Sequence, residues 1–404
     1  MRARRRARRG GAQPPAAGSR RVFWLAAALL SYTYVGFPAL VVLRGWAFPR
    51  RHREAPITPS VTVVIAAHNE VDVIAAKVRN ILAVDYPADR LDVLVVSDGS
   101  DDGTVEAARS AADGRAEVLD LPRVGKDRAL NAAVERARGE ILVFTDANTM
   151  FGRASLTALV APFADPEVGG VAGDQRYTDG TVDDAVAGGE RHYWAFDRLL
   201  KQSESRAGNV ISATGAIYAI RRELFLDVPP GVTDDFATST GVIVQGRRLV
   251  FAPSAVAYEP VGASSDAEFA RKVRIMTRGL EGVVLRRELL DPRRHGFYAL
   301  QLLSHKVLRR LMVVPLALLA ASSARLARAS APFRLLAGGQ AAVYALGLVG
   351  LAAGRRPRAR SRVLALPAYF VLVNAASVRA ISNVVRRRPI QVWEPQRGPG
   401  APGR

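Results

Sequence analysis

Between residues 61 and 144 the chain alternates short apolar runs with segments of helical period, and no other feature restricts its fold as tightly. Residues 61–66, 91–96, 116–119 and 141–144 predict strands, while 70–84, 101–112 and 126–138 predict the helices between them. The longer runs are apolar without interruption, the pattern of strands covered on both faces. Strand and helix alternating at this spacing imply right-handed crossovers and a parallel, doubly wound α/β sheet. Later runs at 168–174, 213–220, 249–251 and 255–258 read as mixed strands that extend it, and the chain contains no internal repeat.

On either side of this region the texture changes. Residues 22–43 are uncharged and mostly apolar, long enough to cross a hydrocarbon layer of about 30 Å, with Gly36 and Pro38 expected to kink the span. A cleaved signal peptide has a shorter apolar core and a small-residue cleavage site, so a retained anchor is expected. Residues 268–287 predict a basic helix. Residues 297–310 mix apolar side chains with His305, Lys306, Arg309 and Arg310, as in a helix lying in the headgroup layer. Further membrane candidates follow at 311–326 (short, with Pro315), 335–353 and 363–385; the last carries Asn374 and Arg379, which are costly in lipid unless they face protein or water. The expected organisation is therefore a disordered basic tail (1–21), an anchor (22–43), an α/β domain (56–262), basic and interfacial helices (263–310), membrane helices (311–385) and a second basic tail (386–404).

The chain has 57 Lys and Arg against 37 Asp and Glu, a formal charge of +20, and only five of its residues are lysine. The arginines crowd the termini and the loops beside apolar runs, which is the distribution of membrane flanks. No recognition helix or aromatic RNA-binding pattern accompanies them, so no nucleic-acid partner is expected. The chain has no cysteine, which excludes disulfides, thiolate metal sites and cysteine nucleophiles.

Chemistry-bearing residues gather where the predicted strands end. Asp146 and Asn148 follow the strand at 141–144, two residues apart, and hard oxygen ligands there suit Mg²⁺ or Mn²⁺ shared with a phosphate. The first strand ends in Ala66-Ala-His68-Asn-Glu70 and the second in Ser97-Asp98-Gly-Ser, before a helix whose N-terminus can face an anion. Gly125-Lys126 opens a helix but lacks the frame of an ATPase phosphate loop. Far downstream, Thr233-Asp234-Asp235 precedes an apolar helix. Each element alone reads as a turn or a helix cap.

In this order and spacing they resemble the family 2 glycosyltransferases, inverting enzymes with the GT-A fold, and in particular the membrane-bound branch that includes cellulose, chitin and hyaluronan synthases. The resemblance runs over roughly residues 61–290. It implies a Rossmann-like mixed sheet flanked by transmembrane helices. It makes Ala66, His68, Glu70 and Asp98 the pocket for the base and ribose of a UDP-sugar, and Lys126 and Asp146 its diphosphate partners. It further implies that Asp146 and Asn148 hold the divalent cation, that Thr214, Gly215 and Asp234 line the acceptor pocket, and that Asp235 is the general base. Arg271 and Arg274 fall where synthases carry Gln/Arg-x-x-Arg-Trp. Two positions depart from the pattern: Asn148 replaces a carboxylate, and Ile275 replaces the tryptophan that contacts the acceptor sugar in processive enzymes.

The reaction these residues imply is a single displacement. Cations neutralise the departing diphosphate, and Asp235 takes the proton of an acceptor hydroxyl. The expected partners are a nucleotide-sugar donor, a lipid-linked or short glycan acceptor, the membrane, and either a second copy or a secretion partner should long chains be made. Nucleotidyl transfer gives no reason for the downstream base and arginines, a sugar-nucleotide sensor has no need of Asp235, and a transporter has no need of so large a domain between its spans. Nucleotide sugars are cytosolic, which places the α/β domain and Arg355, Arg356, Arg358 and Arg360 inside. Arginines at both ends also favour the inside, and single crossings do not permit all of this, so one candidate span is expected to be interfacial or re-entrant.

Overall fold

The computed structural model describes residues 17–178, 184–260, 265–328, 330–353 and 362–388. The expected tails at 1–16 and 389–404 and the arginines between 355 and 360 lie outside them. The chain divides into two units, one made of the chain up to Gly36 with Arg309–Ala375, the other of Phe37–Leu308 with the segment from Ala376 onward.

Helix α1 (Ala17–Ser31) starts inside the stretch expected to be a disordered tail and runs through a π turn at Tyr32–Gly36 into α2 (Phe37–Ala47). Pro38 accounts for the π turn. It has no N–H to give and its ring crowds the carbonyl four residues back, so the ladder widens by one residue there.

The second unit is built on the predicted alternation: β1 (Val61–Ala67), α3 (Val71–Leu82), β2 (Leu91–Asp98), α4 (Thr104–Ala112), β3 (Glu117–Leu121), α5 (Lys126–Arg136) and β4 (Ile141–Asp146). These four strands are parallel, with β1 between β2 and β4. Then come β5 (Met150–Phe151), α6 (Ser155–Val160), β6 (Val168–Thr178), α7 (Asp184–Ala207), β7 (Tyr218–Arg221), α8 (Asp234–Val244), β8 (Arg248–Pro260) and α9 (Ser265–Leu285). The eight strands form one sheet in the order β3-β2-β1-β4-β7-β6-β8-β5. Strand β7 runs antiparallel to both β4 and β6, and β8 is parallel to β6, so the later half is mixed as expected.

Two expected strands come out differently. The run at 213–220 enters the ladder only at Tyr218, because residues before it spend their carbonyls on the end of β4. The runs at 249–251 and 255–258 are one strand with a register shift after Ala252, where Pro253 has no N–H for the ladder.

Alternation along the central strands divides the core into two layers. Val63, Ile65, Val95 and Val143 pack with Ile74, Val78 and Ile81 of α3 and with Leu156 and Leu159 of α6. Val64, Val96, Leu142 and Phe144 pack with Leu130 of α5, Tyr218 and Phe236. Each such side chain contributes roughly 1.5–3 kcal/mol by leaving water, which fixes the sheet whose carboxyl edge carries the polar residues.

The segment expected in the headgroup layer begins as part of this unit. Tyr298, Ala299 and Leu302 are buried, the Tyr298 hydroxyl donates to the Ile211 carbonyl at 2.8 Å, and His305 meets the buried Glu204 at 2.9 Å. Phe297–Leu311 and Val313–Leu326 are bent by 53°; Pro315, in the first turn of the second arm, cannot donate back across the break. The candidate span at 311–326 is thus one arm of a bent pair. Among the described residues three helices are long and apolar enough to cross a membrane, Ala17–Ala47, Ala331–Ala353 and Val363–Val385, or four if the bent pair is one span. Within the first unit Phe23 meets Phe333 edge-on and Tyr344 stacks with Phe370. Asn374 donates to the Phe370 carbonyl, which satisfies half of its amide inside its own helix, while Arg379 is exposed.

Candidate active site

The site forms at the carboxyl end of β4. Asp146 ends that strand beside Ala66 of β1, and its N–H donates to the Gly215 carbonyl at 3.1 Å. Lys126, the first residue of α5, donates to Asp146 Oδ1 at 2.9 Å and lies 3.2 Å from Asp234 Oδ2. One ammonium therefore ties the end of β4 to the start of α8. Burial alone lowers the Lys126 pKa, but the two carboxylates more than reverse this and hold it protonated. Burial works to raise the Asp146 carboxyl, yet Lys126, Lys77 and Arg274 together hold it below the ordinary range.

Gly215 makes this arrangement sterically feasible. A Cβ there would sit 2.7 Å from Asp146 Oδ2. Residues 214–216, expected to line the acceptor pocket, pass beside the carboxylate, and the Thr214 hydroxyl is buried without a hydrogen-bond partner among the described residues.

Asp234 and Asp235 occupy the first turn of α8, where the helix dipole favours negative charge. Asn131 of α5 exchanges two hydrogen bonds with Val228 and so positions the loop leading into that helix. Asp235 accepts from its neighbour's N–H (Phe236) at 2.7 Å. Burial first, then the adjacent Asp234, pushes the Asp235 carboxyl up to about 6, with Lys306 opposing. Lys306 lies 5.2 Å above the Phe236 ring. The segment after α9 therefore reaches α8, which its sequence did not indicate.

The residues expected to meet the base and ribose lie at the ends of β1 and β2 and on the loops after them. Asn69, with φ +54°, bonds to Ser100 and Asp101, and the Glu70 N–H donates to Thr104, so the loops after β1 and β2 are interlocked. His68 and Glu70 are half-buried on the first loop. Burial, with Asp146 and two other carboxylates, pushes Glu70 up to about 7. Three further observations bear on these loops. Ala66 is a buried strand residue with no side chain to offer a ligand. Asp98 is 1% exposed and accepts from Arg123 at 2.9 Å and from the N–H groups of Val124 and Gly125 at 2.7 and 2.9 Å. These bonds tie it to the loop that leads into Lys126. The first N–H of α4 is taken by Asp102 at 3.0 Å, which already sets one carboxylate at that helix end.

Sequence reasoning missed four groups. Lys77 of α3 is fully buried beneath β4, donating to Thr145 Oγ1 at 2.8 Å and to the Thr149 carbonyl at 2.5 Å, and burial pushes its amine down to about 7. The signal was available: a lysine on the apolar stripe of Ile74, Val78 and Ile81. Arg278 acts on Asp234 from α9, four residues beyond Arg274, whose charge acts on Asp146, and seven beyond Arg271, whose charge acts on Glu259. That spacing puts all three on one helix face. Arg123 anchors Asp98. Glu259 of β8 accepts from Gln175 and, at 3.4 Å, from Asn148. Burial and then Asp146 raise its carboxyl, with Arg271 opposing.

The donor set fits a divalent cation. Asp146 and Glu259 repel each other across Asn148, a concentration of hard oxygen atoms that a cation would relieve. Among the described residues no three Asp, Glu or His side chains form a ready cage, as expected for an ion that shares its coordination with substrate phosphates.

A family description, "Glycosyltransferase like family 2", matches residues 59–282. Over 235 residues the chain is 26% identical to a poly-beta-1,6-N-acetyl-D-glucosamine synthase of Staphylococcus aureus, covering 56% of each protein. It is 25% identical over 225 residues to an N-acetylglucosaminyltransferase of Rhizobium leguminosarum bv. viciae, covering 52% of this chain and 53% of that one. The chain thus spans about half the length of the curated relatives it matches. Its fold is similar to that of a mannosyltransferase from Pyrobaculum calidifontis solved with GDP-Man and Mn²⁺. The TM-score is 0.69 at 26% identity, over 91% of this chain and 99% of that one.

Proposed function

Because this chain belongs to glycosyltransferase family 2, we propose that it transfers a sugar from a nucleotide diphosphosugar, with inversion, to an acceptor held at the membrane. The observation that carries this reading is the Asp146–Lys126–Asp234 chain, whose last carboxylate is the chain neighbour of Asp235, so the proposed diphosphate site and the proposed base stand side by side. A diphosphate leaving beside Lys126 and Arg274 meets fixed positive charge as its own charge grows. On the other side Asp235 takes the acceptor's hydroxyl proton as the new C–O bond forms and the bond to phosphate breaks. A carboxyl held at about 6 is ionised at neutral pH and basic enough to accept it. Asp146, Asn148 and Glu259 would hold Mg²⁺ or Mn²⁺, which when bound supplies further charge neutralisation at the diphosphate. Thr214 and Gly215 line the acceptor side, and His68 and Glu70 face the base and ribose.

We assign a UDP-sugar as donor and one or a few additions to a lipid-linked or short glycan acceptor, with the α/β domain on the cytosolic side. Ile275, 39% exposed on α9, offers no aromatic face on which a growing chain can stack. The likeness over 91% of this chain is to a protein named as a mannosyltransferase rather than as a polymer synthase. The second reading, a processive synthase completed by a second copy or a secretion partner, is favoured by the synthase among its relatives. Incubating membranes with radiolabelled donor separates them. Label in organic-extractable material of low mass supports the first reading; label in high-mass, glycosidase-sensitive polymer from the purified protein replaces it with the second.

A further inference from the structure

A second polar cavity lies far from these residues. Its volume is about 620 Å³, and its walls carry Arg44, Arg50, Arg247, Arg248 and Arg294 with a single carboxylate, Glu167. In the register that aligns Val143, Ala219, Val171 and Val250, Asp146 lies three residues beyond the row and Arg248 two before it. Since β4, β6 and β8 point the same way, about 17 Å of strand separates the cavity from the catalytic edge. The cavity is at the opposite end of the sheet and takes no part in sugar transfer.

Its positive charge is under-compensated. Arg248 is 4% exposed, and its guanidinium donates to the carbonyls of Gly208, Arg51 and Arg50, with no carboxylate in contact. Arg247 likewise donates to the Pro166 carbonyl. Glu167 reaches Arg50 at 3.3 Å, and Arg294 has only Asp291 at 3.7 Å. Arg44 lies 4.6 Å over the Phe297 ring, and its buried Nε has no hydrogen-bond acceptor. A solvated basic face would leave its donors to water; here one is buried and unsatisfied at the wall of a cavity.

The surroundings say what would supply the acceptor. Arg44 is in the last turn of α2, the end of an apolar helix long enough to cross a membrane. Trp46 and Phe48, 80% and 70% exposed, follow it as aromatic residues do at a membrane–water boundary. Phe297 opens the bent apolar pair. Lipid phosphates sit where an apolar helix of this length ends in aromatic residues, and basic pockets beside such ends hold headgroups. We propose that this cavity binds the phosphate of an anionic membrane phospholipid.

The test uses the full chain in detergent, titrated with short-chain phosphatidylglycerol, short-chain phosphatidylcholine and inorganic phosphate, with binding read calorimetrically. Phosphatidylglycerol is expected to bind, and the Arg44→Gln/Arg294→Gln variant to bind it at least tenfold more weakly. Glu167→Gln, which removes the one opposing charge at an exposed position, is expected to bind it more tightly. That arm keeps the test decisive if the arginine variant does not fold. Phosphatidylglycerol binding unchanged in both variants overturns the proposal. So does inorganic phosphate that binds as tightly as the lipid, which would make this a site for a soluble anion, or phosphatidylcholine that binds equally well.

Discussion

Gly215→Ala tests the site through a single methyl group. The new Cβ would lie 2.7 Å from Asp146 Oδ2 and 3.3 Å from its Cγ, whereas ordinary contact begins at 3.4 Å. The conflict of about 0.7 Å falls on the end of a side chain, not on backbone. Gly215 is not among the positive-φ glycines, so alanine brings no conformational strain. The carboxylate must therefore move, against its 2.9 Å bond to Lys126, while the fold is kept. Functional groups tolerate about 0.5 Å of misplacement, and an error near 1 Å costs on the order of 10²-fold in rate. We expect nucleoside diphosphate release to fall roughly 10- to 100-fold, the divalent concentration for half-maximal activity to rise, and the melting temperature to stay nearly unchanged. A Gly215→Ala protein with full activity and an unaltered metal titration would refute the placement of Asp146 at the reacting centre.

Activity should vanish in chelator and return with Mg²⁺ or Mn²⁺; Asp146→Ala should lose it in either ion, and full activity of that variant in chelator contradicts the metal assignment. Asn148→Asp should lower the half-saturating metal concentration yet melt earlier in chelator, because it adds a third carboxylate beside Asp146 and Glu259; equal melting with and without metal would contradict this. With Asp235 at about 6, kcat/KM should rise with pH through that value, since only the ionised carboxyl accepts a proton. Asp234→Asn removes the like charge that raises Asp235 and should move this limb to lower pH; an unmoved limb assigns it to another group. Lys77→Met keeps the buried volume but removes the donor under Thr145 and Thr149. It should weaken divalent binding about tenfold, the effect of roughly one lost charge-assisted hydrogen bond, which a metal titration read by Mn²⁺ magnetic resonance measures directly.

Sequence pattern made the parallel half of the sheet legible because β1, β2 and β4 are buried on both faces and so are written as unbroken apolar runs. Where strands meet loops, pattern misleads. Residues 213–217 have strand-like composition, but the carbonyls of Gly215 and Ala216 accept from the end of β4. Helix α7 carries a mostly polar sequence that gave no apolar stripe to find. The residues at the site divide in the same way. Asp146, Lys126, Asp234 and Asp235 stand at element boundaries with a recognisable spacing. Glu259 and Arg123 act only through folding, which brings β8 beside Asn148 and the β3–α5 loop beside Asp98. Asp98 shows the converse: its position in the chain matches a ligand-binding pattern, while its three hydrogen bonds turn it inward.

The central claim is that Asp235 is the base of a sugar transfer whose leaving diphosphate sits at Lys126 and Asp146. Its most direct test is nucleoside diphosphate release from UDP-sugars by the purified chain with Mg²⁺, comparing wild type, Asp235→Asn and Asp234→Asn, with UDP affinity measured on each. Wild type should release UDP. Asp235→Asn, unchanged in shape but unable to accept a proton, should lose about 10²-fold or more in turnover while binding UDP as before. A dead Asp234→Asn beside an active Asp235→Asn would contradict the assignment.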